Sequence, residues 1–222
     1  MIKDNLKHVL KTIPQNVLLV AVSKTKPLPL LEEAYQAGQR HFGENKALEM
    51  RDKALALSKD INWHFIGHLQ RNKVKYIAPS VHLIHSIDSL RLLKEVNKEA
   101  TKNNRVISCL LQFHIAKEST KFGFNQKEAI ELLNSEEYKT LQNIKIVGVM
   151  GMATFTNNQE QVKQEFSHLK NIFDTLKNTF FSGNSAFKEI SMGMSGDYPL
   201  AIQEGATIVR VGSLIFGKRD TK

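Results

Sequence analysis

Cysteine is nearly missing: Cys109 is the one thiol in 222 residues. No intramolecular disulfide can form, which excludes a disulfide-stapled scaffold and fits a reducing compartment. No apolar run comes near the roughly 20 residues that cross a bilayer, so no membrane-spanning helix is expected. The opening MIKDNLKHVL is charged throughout and lacks the apolar centre of a secretory signal. The expected location is the cytoplasm. Low-complexity tracts, sequence repeats and Pro/Gly/Ser linkers are also lacking. Nothing divides the chain, and residues 1–222 are expected to form one domain. Neither a P-loop signature nor a strand-linked GxGxxG occurs, so nucleoside triphosphate and dinucleotide binding have no support.

Acidic residues are outnumbered, 22 against 31 lysines and arginines, for a net charge of +9. Such a balance can attract nucleic acid, an anionic membrane or phosphorylated ligands. The charges are scattered, however, and the densest cluster, RNKVK at 71–75, has no aromatic stacking platform beside it. It reads as a solvated lysine-rich surface, with neither nucleic acid nor membrane as partner.

What is present is an alternation. Short apolar stretches rich in branched residues occur at 16–22, 40–44, 63–67, 81–87, 106–113, 144–152, 187–194 and 206–212. Their length and polar borders suit strands. Helical spacing fills the gaps. In 158–179, Val162, Phe166, Leu169, Phe173 and Leu176 repeat at intervals of three and four. Asp88 is placed to cap a helix over 89–100, and shorter helices are expected at 29–38, 45–58 and 125–134, with another through 69–79. Eight βα units in this length are what a (β/α)8 TIM barrel needs, here with an extra N-terminal helix at 2–12. A doubly wound open α/β sheet is the alternative, because alternation does not show closure.

In such a barrel, chemistry belongs at the C-terminal strand ends. The first strand runs LLVAVSKTKP from 18 to 27, and Val20, Val22 and Lys24 share a face by the twofold alternation of strands. An amine there rises into the mouth, and Lys26 nearby adds cationic repulsion. Desolvation and a neighbouring cation both favour the neutral amine that attacks a carbonyl. At the other end of the chain, SMGMSGD puts Ser195 and Gly196 just before a helix-like stretch, and IVRVGS supplies Arg210, Gly212 and Ser213. Barrels frequently bind phosphate with the loops after these two last strands. A lysine facing a phosphate cradle suits either a phosphorylated sugar, as in a Schiff-base aldolase, or pyridoxal 5′-phosphate (PLP).

AVSKTKP, FGEN, WHFIGHLQ, GVMGM, SMGMSGD and IVRVGSLIFG, in that order, resemble the pyridoxal phosphate homeostasis protein family over residues 17–219. The resemblance implies a barrel like the N-terminal domain of alanine racemase, with PLP joined to Lys24 as a Schiff base. It further implies that Ser195, Gly196, Gly212 and Ser213 hold the phosphate and that Arg210 faces the pyridine nitrogen. Asn45, His64 and Met150 would line the pocket, and Lys121 would be a secondary ligand-handling residue. Arg71 and Pro199 depart from the family pattern; proline is tolerated in a first helical turn.

The same resemblance frames the choice between carrier and enzyme. Alanine racemases draw a second base, a tyrosine, from an additional C-terminal domain, for which a chain closing at Lys222 leaves no room. Of the tyrosines, only Tyr198 follows a strand end closely enough to approach the mouth. The expectation is a monomeric, non-enzymatic protein that binds PLP reversibly and delivers it to apo PLP-dependent enzymes; a racemase-like enzyme is the alternative. No metal site is expected: His64 and His68 have the spacing of ligands on a helix, but His64 lies on a strand. Cys109 reads as a small core residue.

Overall fold

The computed structural model describes residues 1–117 and 122–217. Eight parallel strands close into a barrel in sequence order. They are β1 (Leu18–Val22), β2 (His41–Glu44), β3 (Asn62–Phe65), β4 (Val81–Ile87), β5 (Ile107–Phe113), β6 (Ile144–Gly151), β7 (Glu189–Ser191) and β8 (Ile208–Val211). The helices are α1 (Ile2–Lys11), α2 (Leu28–Gln36), α3 (Ala47–Ala56), α4 (Val74–Ile77), α5 (Leu90–Lys102), α6 (Gln126–Asn134), α7 (Glu136–Lys139), α8 (Gln159–Phe180), α9 (Tyr198–Gln203) and α10 (Ser213–Phe216). All eight expected strands are present, and pairing of β8 with β1 removes the open-sheet alternative.

Two local readings change. The segment through 69–79 contains only a 3-10 turn at Arg71–Lys73 and the short α4. Helix α5 is capped by Ser89, whose Oγ accepts from the Leu92 amide at 3.3 Å, and not by Asp88. Asp88 instead pairs with His68 at 3.3 Å. The other local signals behave as their chemistry dictates; Asn125 and Glu128 form a reciprocal capping box at the start of α6.

The main core lies between sheet and helices. Outward strand residues such as Leu19, Ala21, Phe42, Trp63, Val209 and Val211 pack there with α8 residues Phe166, Leu169 and Phe173. The barrel's own apolar interior is small: Val20, Leu83, Leu110, Met150 and Ile208. The β7–β8 seam has one register pair, Ser191 with Ile208. Thr207 reinforces it, accepting from the Ile190 amide at 2.8 Å and donating to Glu189 Oε2 at 2.6 Å.

Three register shifts alter the simple alternation, at Trp63/His64, Ile84/Ile87 and Cys109/Leu110. Cys109 pairs with Ile146 and Leu110 with Gly148, so Val147 is the extra residue of a bulge. The side chains of Ile144 and Ile146 consequently face the helices, whereas Met150 faces inward. A Cβ on Gly148 would lie 1.8 Å from the Glu189 carbonyl oxygen. Gly148→Ala is therefore expected to lower stability by about 3 kcal/mol or more, because the clash is with backbone that cannot step aside. Chemical denaturation of the two proteins measures this, and a loss under about 1 kcal/mol would contradict the packing described.

Candidate functional site

The C-terminal strand ends surround a cavity of about 900 Å³. Lys24, Asn45, Ser195, Gly196, Arg210, Gly212 and Ser213 all line it. The alternation on β1 holds: Val20 lies in the barrel interior, while Val22 and Lys24 reach the cavity wall. On β8 the same face carries Ile208, Arg210 and Gly212.

His64 and Met150 do not line the cavity. Both are sealed in the barrel, His64 at 0% and Met150 at 1% exposure. They occupy the correct face but one layer too low, because strand residues on one face recur every second position. Ile66 and Met152, two residues further along, stand at the wall instead. Lys121 lies outside the described residues. Tyr198 does not approach the mouth: it is buried against the helices, and its hydroxyl bonds Thr12 Oγ1 at 2.7 Å. Among the described residues no tyrosine lines the cavity.

Lys24 is set by a buried ionic cluster outside the barrel wall. Ser23 Oγ donates to Glu44 Oε1 at 2.6 Å, and Lys53 Nζ donates to the same oxygen at 2.8 Å. Lys53 also reaches the Ser23 carbonyl at 2.8 Å and Glu49 Oε1 at 2.7 Å. Glu49 then accepts the Thr25 amide, a residue in the left-handed region with φ of 64°. A threonine rarely adopts that conformation without external support. The flanking residues are thus gripped from β2 and α3, which aims the side chain between them. Nothing in the linear sequence ties Lys53 to Lys24; the link exists only once α3 docks.

The phosphate-type corner is built from bare backbone and hydroxyls. A Cβ on Gly212 would meet the Val22 carbonyl oxygen at 3.0 Å, and around Gly196 there is open space. The Gly212 amide donates to Ser195 Oγ at 3.2 Å, joining the two loops. The first amides of α10, those of Ser213 and Leu214, have no acceptor within their helix. Asn45 Oδ1 is buried with no hydrogen-bond partner among the described residues. An orphaned acceptor in a cavity wall is a point where a ligand's hydroxyl or N–H can dock.

Beneath the cavity runs a row of polar groups. Arg210, 3% exposed, donates through Nη1 to Ser191 Oγ at 2.6 Å and through Nη2 to the Gly151 carbonyl at 3.1 Å. Ser191 Oγ also meets His85 Nδ1 at 2.8 Å. His85 Nε2 meets His64 Nδ1 at 2.8 Å, and His64 Nε2 meets His41 Nδ1 at 2.9 Å. Burial holds both His64 and His85 well below the usual histidine range, with neighbouring charge adding to it, so they are neutral. Burial also lowers Arg210, to about 10, which leaves it a cation at neutral pH.

The loop after β6 supplies the far wall, with Thr154, Phe155, Thr156 and Asn157. Glu165 on α8 organises it, accepting the Thr154 amide at 2.6 Å and hydroxyl at 2.7 Å. Burial pushes that carboxyl up, but the Thr154 and Gln161 hydrogen bonds outweigh it and hold its pKa low. At the rim His68 stacks on Phe122, with centroids 4.0 Å apart. An amine and a set of anion donors across one small cavity can hold a phosphorylated carbonyl compound.

The sequence profile described as "Alanine racemase, N-terminal domain" matches residues 1–220. A relative named pyridoxal phosphate homeostasis protein from Aquifex aeolicus is 42% identical, covering 90% of this chain and 86% of its own. A human protein of the same name is 36% identical over 91% of this chain and 76% of its own. The solved structure of PipY from Synechococcus elongatus without PLP superposes with a TM-score of 0.91 at 33% identity, covering 98% of this chain and all of the other. PipY with PLP bound gives 0.88. A Clostridium difficile alanine racemase, 12% identical with a TM-score of 0.74 over 56% of its length, shares the fold.

The ionic cluster yields a prediction. Burial raises the Glu44 pKa from 4.5 to about 6, against the opposing pull of Lys53. A raised folded-state pKa contributes stability below the unfolded value and loses it as pH rises through the folded value. Lys53→Met leaves burial unopposed and moves that window upward. The variant is expected to lose about 3 kcal/mol at pH 8 and markedly less at pH 5. Urea unfolding at the two pH values measures it; an equal loss at both would rule out the coupling.

Proposed function

Because the chain belongs to the pyridoxal phosphate homeostasis protein family, on the fold of the alanine racemase N-terminal domain, we propose that it binds PLP reversibly in the cavity at Lys24 and releases it to apo-enzymes. One observation carries this reading: a single cavity brings the Lys24 amine together with Ser195, Gly196, Arg210, Gly212 and Ser213. The residues fit the group. Asn45 offers a buried acceptor with no partner among the described residues, a Cβ on Gly212 would crowd the Val22 carbonyl at 3.0 Å, and the hydroxyls and helix-start amides suit a phosphate. PLP, when bound, supplies an aldehyde that condenses with a primary amine by loss of water, a bond that water reverses.

Each residue of the chain then has a part. Lys24 Nζ is the atom that joins the aldehyde carbon. Ser195, Ser213 and the amides around Gly196 and Gly212 hold the phosphate. Arg210 takes the ring-nitrogen side, where its fixed positive charge opposes a proton on that nitrogen and weakens the ring as an electron sink. Asn45 orients the ring from the end of β2. Racemisation needs a second base on the far side of the ring; the resemblance to alanine racemase implies a tyrosine for that part, and no described tyrosine lines the cavity. That supports holding and delivery over turnover.

The test is chemical trapping. Borohydride reduction of PLP-loaded protein, followed by peptide mass spectrometry, should place the adduct on Lys24, and Lys24→Ala should lose it together with the yellow absorption. Ser195→Ala is expected to weaken PLP binding about tenfold, the worth of one charge-assisted hydrogen bond. Loaded protein should also restore activity to an apo PLP enzyme and give no sustained conversion of amino acids. An adduct elsewhere would overturn the site, and turnover abolished by Lys24→Ala would overturn the carrier role.

A further inference from the structure

The end of the barrel opposite the cavity carries three histidines from three adjacent strands. His41 begins β2, His64 is the third residue of β3 and His82 the second of β4. One ring nitrogen of each lies within 4.8 Å of the others. The rings crowd one another, with centroid separations of 5.2 Å for His41–His64, 5.7 Å for His41–His82 and 5.4 Å for His64–His82. From these positions we infer that His41, His64 and His82 form a binding site for a divalent transition metal of the nitrogen-preferring class, with zinc, nickel and copper as its members.

Four features of the cluster suit such an ion. First, the three ligand nitrogens come from three adjacent strands, whose hydrogen-bonded ladder fixes their spacing. Second, the tautomer of the deepest ligand is already set. Asn62 Nδ2 faces His41 Nε2 at 3.4 Å, and with the amide as donor His41 carries its proton on Nδ1. His64 Nε2 is then a lone pair, and His64 Nδ1–H donates to His85 at 2.8 Å. A ligand imidazole whose other N–H is bonded deeper in the protein is the usual arrangement around protein-bound metals. Third, access is graded: His64 is sealed, His41 half-buried and His82 exposed, so an ion arriving from solvent meets His82 first. Fourth, three nitrogens with no carboxylate among them favour borderline transition metals over magnesium or calcium.

Binding asks for one rearrangement. The proton between His41 Nδ1 and His64 Nε2 moves to His41 Nε2, where the Asn62 amide turns its oxygen to receive it. No proton is released. The charge of Arg105, whose guanidinium bonds the Ala78 and Val81 carbonyls at the start of β4, opposes the ion. Three protein nitrogens also leave a coordination position for water.

Calorimetric titration of the full chain with zinc chloride in a non-chelating buffer tests the site, with and without PLP. The expected result is one ion per chain, with binding weakened at least about tenfold by His41→Gln or by His82→Gln. Lys24→Ala and the surface variant His168→Gln should bind as the parent does. Circular dichroism and melting in EDTA establish that the histidine variants fold. Absence of binding, or an affinity that the double variant His41→Gln/His82→Gln leaves unchanged, would overturn the assignment. The cofactor reading is untouched by either result, since it rests on the opposite end of the barrel.

Discussion

A guanidinium sealed inside the barrel is the constraint around which the interior is arranged. Arg210 sits at 3% exposure and is still charged, since burial brings it only to about 10. Taking such an ion from water costs several kcal/mol even after relaxation. The chain answers with acceptors instead of a close carboxylate: Ser191 Oγ, the Gly151 carbonyl and, at longer range, the field of Asp197. These hold the guanidinium in place without cancelling its charge. The uncancelled part projects into the cavity above, where an electron-rich or anionic ligand supplies what the protein withholds.

The same constraint governs the layer below. His85 stands beside Arg210's partner, and His64 beside His85, so a second cation in either ring would face the first in a medium of low dielectric. Both rings are driven neutral, and a neutral imidazole must donate from one nitrogen and accept at the other. Once Asn62 sets the direction at His41, each ring follows. Ser191 Oγ then accepts from His85 on one side and from Arg210 on the other, and keeps its own hydrogen to donate. A polar seam thus crosses half of the barrel interior while Val20, Leu83, Leu110, Met150 and Ile208 fill the other half. Apolar filling throughout would give a more ordinary barrel. The seam instead specifies orientation, because it has few fully bonded states.

Much of this was legible in order along the chain. Lys24, Arg210 and Gly212 follow from strand alternation, since β1 and β8 run without irregularity to their ends, and Ser213 from the loop that follows β8. Met150 and His64, which the resemblance assigned to the pocket wall, point inward but below the cavity, because a matched motif does not show where the filled interior stops. The bulge at Val147 adds to this on β6, where parity changes within the strand. Tyr198 follows β7 closely in number, yet Gly193 turns with φ of 91° and sends the chain back over the helices. The histidine seam had no linear signal. Its members stand at 41, 64, 85, 191 and 210: adjacent strands β2, β3 and β4 bring the histidines together, and closure of the barrel sets His85 across from Ser191 and Arg210.

Closure therefore builds two polar regions by one act, and it assigns them different mobility. At the C-terminal end the wall is made largely of loops: Thr25 strained at positive φ, the segment held by Glu165, and rim aromatics in solvent. Loops of that kind open at low free-energy cost relative to global unfolding. At the N-terminal end the histidines stand on strands, inside the hydrogen-bonded ladder. Strand-borne side chains hold their geometry more tightly than loop-borne ones. Arg210 belongs to both regimes, with its backbone in β8 and its head beneath the mouth.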